Sequence, residues 1–164
     1  MLIADAQRDV RLTFLGGSPG AVVSGVIWLA AAAAGTWRTP SLAILVLVLG
    51  GTFIFPLTQL LMFLMRRRNH LLPRNPMGQL AMQVAFTIPA SYPLIGAATL
   101  HRIEWFFPAF MVVVGAHYLP FIFLYGMPAY LAIALLMVGG GFAIGAWLPG
   151  SFALGGWITG GLLL

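Results

Sequence analysis

The chain has no cysteine and no lysine, and among 164 residues only Asp5, Asp9 and Glu104 are acidic. Without cysteine there can be no disulfide, no thiolate nucleophile and no cysteine-ligated metal. From Trp105 to Leu164, 60 residues pass without an aspartate, glutamate, lysine or arginine. A water-soluble domain of that length needs surface charge; charged residues here total 7%, against roughly 25% in an ordinary globular domain. The shortage of acids also removes the carboxylate pairs of hydrolases and of many proton-coupled carriers. A serine, histidine and acid set for nucleophilic catalysis fails as well, because the acids fall at predicted surfaces. Enzyme chemistry therefore has the weakest support of the function classes considered. No glycine-rich loop has the spacing of a phosphate cradle.

What remains is 61% hydrophobic, with a mean hydropathy of +1.00. A spanning helix needs about 20 apolar residues, and the apolar runs predict one all-α membrane domain, an integral bundle of about six transmembrane helices. An amphipathic segment occupies residues 1–17, and spans follow at about 19–37, 41–65, 79–100, 106–125, 128–148 and 151–164. Pro149 and Gly150 precede the last of these. At 1.5 Å per residue that segment covers about 21 Å, short of the roughly 30 Å hydrocarbon layer. Either it is a short helix tucked against its neighbours, or the natural chain continues past Leu164, and the second is expected.

The net charge is +5, and all the positive charge is arginine. A basic chain raises nucleic acid as a partner, but these arginines cluster beside a span, which reads as orientation in a lipid bilayer. With the N-terminus cytoplasmic, Arg8, Arg11, Arg66, Arg67, Arg68 and Arg74 lie inside, and only Arg38 and Arg102 lie outside. Trp37, Trp105 and Trp147 then fall at outer ends, where tryptophan prefers the interface. The expected setting is a bacterial inner membrane, with both chain ends cytoplasmic and no nucleic-acid partner. Ile3, Ala6, Val10 and Phe14 recur at helical spacing, with Asp5, Arg8, Asp9 and Arg11 elsewhere around the wheel. That pattern predicts a short helix lying on the inner membrane surface. Arg66, Arg67, Arg68 and Arg74 can attract anionic lipid headgroups, about 1 kcal/mol per basic residue near the surface.

His117 is the outstanding candidate. Eleven residues inward from Phe106, it lies about 16 Å deep, where ionisable groups are rare and are functional candidates by default. Tyr118 is adjacent, and Phe121 and Tyr125 follow one and two turns along the same side. Pro120 cannot donate to the carbonyl of Ala116, which opens the helix locally. The plainer reading is a satisfied packing histidine beside a kink. His70 and His101 fall in opposite loops, so no metal or cofactor is expected. Gln79, Gln83, Thr87 and Ser91 form a polar stripe on the third span. Gln59 and Gln83 are expected to face each other on neighbouring antiparallel helices and to hydrogen-bond, as helix glue or as the lining of a cavity bent by Pro56, Pro89 and Pro93. Gly141 with Gly145, and Gly156 with Gly160, are pairs that permit close helix approach. They serve internal packing or, alternatively, a homo-oligomer interface.

The blocks GGSPGAVVSG, GGTFIFPLTQLL, NPMGQLA and FFPAFMVVVGAHYLPFIFLYG resemble a family of small bacterial multi-pass integral membrane proteins of unknown function. The most specific block is GAHYLPFIFLYG. The resemblance implies a compact all-helical inner-membrane protein and carries no activity with it. The leading functional reading is a membrane protein that binds, and by extension transports, a small molecule or lipid. His117, Tyr118 and Tyr125 would line its site, with Gln59, Gln83 and Thr87 on the inner approach. The alternative is a structural or regulatory membrane subunit that packs through its glycine faces without a ligand.

Overall fold

The computed structural model describes residues 1–67, 70–148 and 150–164. Arg68, Asn69 and Pro149, which the sequence reading assigned to the basic loop and the last turn, lie outside the described residues. Every regular element among the described residues is a helix, with α1 at Ile3–Thr13, α2 at Ser18–Trp37, α3 at Pro40–Leu64 and α4 at Met77–Ala90. It continues with α5 at Tyr92–His101, α6 at Phe106–Tyr125, α7 at Ala129–Trp147 and α8 at Leu154–Leu163. Five stretches are long and apolar enough to cross a membrane: Leu15–Trp37, Pro40–Leu64, Met77–His101, Ile103–Tyr125 and Ala129–Trp147. The third is α4 and α5 joined through Ser91. Pro93 has no N–H to offer the Pro89 carbonyl, and Pro89 none to offer Ala85, so the hydrogen-bond ladder is interrupted there and the helix bends.

The sixth expected span is the ten-residue α8, about 15 Å long. It runs beside α2 and α6 and ends against Gly25, where a Cβ would stand 3.1 Å from the Gly160 carbonyl and 3.2 Å from Leu163 Cβ. Leu163 and Leu164 therefore pack beside Gly25, in the half of α2 nearer Ser18.

Helix α6 is the centre of the bundle and touches α1, α4, α5, α7 and α8. Phe106, Phe107, Phe110 and Met111 on it are at most 3% exposed. Trp28 of α2 packs on Phe107 and Phe110, with ring centroids 5.9 and 5.4 Å away. Lipid chains are as apolar as leucine, so close fit must supply the attraction between helices, and glycine supplies the fit. A Cβ on Gly141 would stand 2.8 Å from the Pro108 carbonyl of α6, and one on Gly160 would stand 2.6 Å from Leu29 of α2. Gly156 lies equally tight against Phe107 and Ala32, and Gly145 rests on Pro108. All four glycines thus serve packing within the chain.

One end of the bundle gathers α1, the α3–α4 connection and the α6–α7 turn; it is called the arginine end below. The other gathers Trp37, Trp105 and Trp147. At the tryptophan end Thr39 caps α3, its hydroxyl accepting from Leu42 N at 3.2 Å, and Pro40 opens the helix.

Candidate functional site

The tyrosines of α6 and α7 form a packed ladder that starts at His117. The His117 ring lies 5.0 Å from Phe121 and 5.9 Å from Tyr118. Tyr118 stacks on Tyr130 at 5.6 Å, Tyr130 stacks on Tyr125 at 5.4 Å, and Phe121 touches all three. Each tyrosine is only 7% exposed. The ladder ends at the α1–α2 connection, where the Tyr130 hydroxyl donates to the Gly16 carbonyl. Gly17 makes that approach possible: its φ is +89°, and a Cβ there would stand 2.5 Å from the Tyr130 hydroxyl oxygen and 3.2 Å from that of Tyr125. Tyr130 did not stand out in the sequence. Its one signal is a position five residues after Tyr125, across a glycine and proline turn.

His117 is held from α4. Its Nδ1 lies 3.0 Å from Thr87 Oγ1, and that hydroxyl donates to the Val84 carbonyl at 2.7 Å. Thr87 thus joins the imidazole to α4, with the donor and acceptor at Nδ1 set by the ring tautomer. His117, Thr87, Tyr118 and Tyr125 are therefore brought together.

The two glutamines are not. Gln59 lies half-buried on α3 and Gln83 exposed on α4, and no hydrogen bond joins them. The expected pairing fails because α3 packs along α2, while α4 packs on α6 and α1. Close contacts set that choice: Gly20 of α2 approaches Thr58, and Gly50 of α3 lies against Ile27. Among the described residues neither glutamine has a hydrogen-bond partner.

At the arginine end, α1 is bonded into the bundle. The sequence reading laid it flat with its charges outward; instead Asp9 is 9% exposed, while Ile3, expected on the buried side, is 58% exposed. The Asp9 carboxylate accepts from Leu72 N at 2.9 Å and from Asn75 Nδ2 at 2.8 Å, which satisfies it away from water. Asn75 also donates to the Ala6 carbonyl at 3.1 Å and accepts from Met77 N at 3.0 Å, so the residue expected to cap the third span also ties that span to α1. Gln7 donates to the Phe123 carbonyl at 2.5 Å, and Arg11 donates to the Tyr125 carbonyl. The last carbonyls of a helix have no partner within it, and a cation is favoured there. Gly126, with φ +61°, ends α6 in the left-handed turn that presents them. Of the basic loop, Arg66, Arg67 and Arg74 are exposed; Arg68 lies outside the described residues.

Among the described residues no three histidine or acidic side chains come close enough to hold a metal ion. The arrangement can hold hydrogen-bonding groups at mid-bundle depth and charged groups at one end.

These features define an all-helical bundle with the helix lengths and polarity of a multi-pass membrane protein. The chain belongs to a family of unknown function (DUF7010), whose model matches residues 3–164. No curated protein and no solved structure matches it.

Proposed function

We propose that this protein binds a small amphipathic molecule or lipid within the membrane, against the face formed by Gln83, Thr87 and His117. The observation that carries the reading is an exposed amide at depth that has no partner among the described residues. Gln83 lies six residues inside α4, about 9 Å along its axis. Hydrocarbon offers it nothing to bond, and leaving a polar group unsatisfied there costs several kcal/mol. One turn further along stand the exposed Thr87 and the imidazole whose Nδ1 it bonds. Tyr118 and Tyr125 form the rigid wall behind the histidine, and Gln59 on α3 adds a further amide at a similar depth.

The reading includes a setting: a bacterial inner membrane with the arginine end cytoplasmic, supported by the uneven arginine count. Transport would require the face to open toward both ends, and binding is the reading adopted here. A second reading has an observation of its own. An exposed glutamine stripe is also what a partner helix would bond across, at about 0.6 kcal/mol per contact.

Native mass spectrometry of the protein released from lipid nanodiscs separates the two. A stoichiometric small molecule or lipid that disappears in His117→Phe and in Gln83→Leu supports binding at this face. A ligand-free oligomer that dissociates in Gln83→Leu supports the partner-helix reading. A folded His117→Phe protein that retains every bound species defeats the proposed site.

A further inference from the structure

The arginine end holds a second feature, separate from the His117 face. An open hollow of about 400 Å³ is lined by Asp5, Arg8, Asp9, Leu12, Thr13, Arg67 and Leu72. It exists because α1 is tied to the α3–α4 connection through Asp9: Leu72 and Asn75 hold the carboxylate, and the hollow opens beside that junction. Asp9 and Thr13 are its buried residues. Asp5, Arg8 and Leu12, spaced by three and four, stand exposed on the same side of α1. Arg67 faces them from just beyond the end of α3.

The charges in this hollow are of both signs: Asp5 and Asp9, with Arg8 and Arg67. Among the described residues, Asp5, Arg8 and Arg67 form no ion pair, although all three line one space. Two guanidinium groups suit a phosphate, which they can bond through paired N–H donors. A carboxylate beside them suits an ammonium group. Leu12 is 68% exposed and Leu72 is 44% exposed, an apolar rim at the level where a headgroup meets its glycerol and acyl chains. The volume is in the range of small-molecule sites, about 300–1,000 Å³.

We propose that this hollow binds the zwitterionic headgroup of a phospholipid with a primary amine, a phosphoethanolamine lipid. Arg8 and Arg67 bond the phosphate, Asp5 accepts from the ammonium, and Leu12 and Leu72 contact the first part of the acyl region. A purely anionic lipid would place nothing on Asp5. A choline lipid has no N–H to donate to it. The mixture of charges therefore predicts selectivity as well as affinity.

The test uses the full chain in nanodiscs of equal parts phosphatidylethanolamine, phosphatidylcholine and phosphatidylglycerol, read by native mass spectrometry. One phosphatidylethanolamine per protein is expected to survive release. Arg67→Gln lowers its retention roughly fivefold, from the loss of one cation near the surface. Asp5→Asn abolishes the preference for ethanolamine over choline while phosphate binding remains. Arg38→Gln, at the other end, changes nothing. Water-soluble glycerophosphoethanolamine added to the same sample distinguishes the sources of the headgroup. If it displaces the lipid at equal concentration, the acyl contacts are absent and the site is one for the free phosphodiester, which overturns the lipid assignment. Equal or greater retention of phosphatidylglycerol, unaffected by Asp5→Asn, overturns the proposal, as does release with no lipid bound. All three substitutions are at exposed positions, where a change usually alters stability by less than about 0.5 kcal/mol.

Discussion

The Asp9 carboxylate and the Asn75 side-chain amide are joined by a 2.8 Å hydrogen bond that spans 66 residues of sequence. It fixes the N-terminal helix to the third membrane-length segment, and Gln7 and Arg11 fix the same helix to the end of α6. The helix is therefore part of the bundle.

Removal of either partner should release it. Asp9→Ala takes the acceptor from the Leu72 amide and one bond from the Asn75 side chain, and Asn75→Ala removes all the bonds that side chain makes. Leaving buried groups unsatisfied costs about 1–3 kcal/mol each. Faster hydrogen–deuterium exchange is expected across residues 3–13, with α7 unchanged. Exchange as slow as in the unaltered protein would mean that packing and the Gln7 and Arg11 bonds hold α1 without the Asp9–Asn75 tie.

Gly17 and Tyr130 make a pair whose effects should not add. Gly17→Ala drives a Cβ to 2.5 Å from the Tyr130 hydroxyl oxygen and also forces a side chain to adopt φ +89°. Tyr130→Phe removes the hydroxyl and its bond to Gly16, at about 1 kcal/mol. The double variant loses the closest clash and keeps the backbone strain and the 3.2 Å approach to Tyr125, so its loss of stability should fall below the sum of the two single losses by about 1 kcal/mol or more. Thermal unfolding in a mild detergent measures the cycle; strict additivity would refute the contact.

The spans were legible because lipid demands long apolar runs, and proline and glycine mark their ends. The short last helix was half legible: its length was evident, while its docking depended on Gly156 and Gly160 meeting Phe107, Ala32 and Leu29. Thr87 and His117 could be singled out one by one, since polar groups are few in such segments. Their bond could not, because it depends on α4 choosing α6 as its neighbour. The same choice undid the expected Gln59–Gln83 pairing. Asp9 was misread for a different reason. A helical wheel assigns an acid to the outside, and only the folded loop, with Leu72 and Asn75 arriving from far along the chain, can satisfy it inside.

Adjacent glycines in α8 offer a controlled comparison. At Gly160 an added Cβ would meet Leu29 at 2.6 Å, whereas at Gly161 nothing lies within 4 Å. Gly160→Ala should therefore lift α8 from α2 and lower stability by about 1–3 kcal/mol. Gly161→Ala should be neutral or stabilise by about 0.4–1 kcal/mol, since alanine restricts the unfolded chain. Unfolding temperatures measured side by side decide it; equal losses at both positions would mean that α8 is not seated on α2 as described.

Two threonines belong to α2 and α8, and the same substitution should act on them in opposite directions. Thr159 of α8 is fully buried, and among the described residues its Oγ1 has no hydrogen-bond partner. Thr36 of α2 donates to the Ala32 carbonyl at 2.8 Å and accepts from Trp157 Nε1 at 3.0 Å. Valine has the shape of threonine and a similar helix propensity, so Thr→Val changes little besides the hydroxyl. At residue 159 the change removes a buried group that nothing satisfies, which should raise stability by about 1 kcal/mol. At residue 36 it removes the acceptor of the Trp157 indole. Because Thr36 is exposed at the tryptophan end, water can replace part of that bond, and the loss should not exceed about 1 kcal/mol. Thr159→Val should therefore unfold at a higher temperature than the unaltered protein, and Thr36→Val at a lower one. A Thr159→Val protein that unfolds earlier would show that its hydroxyl has found a partner, and the packing of α8 on α2 would need redrawing around it.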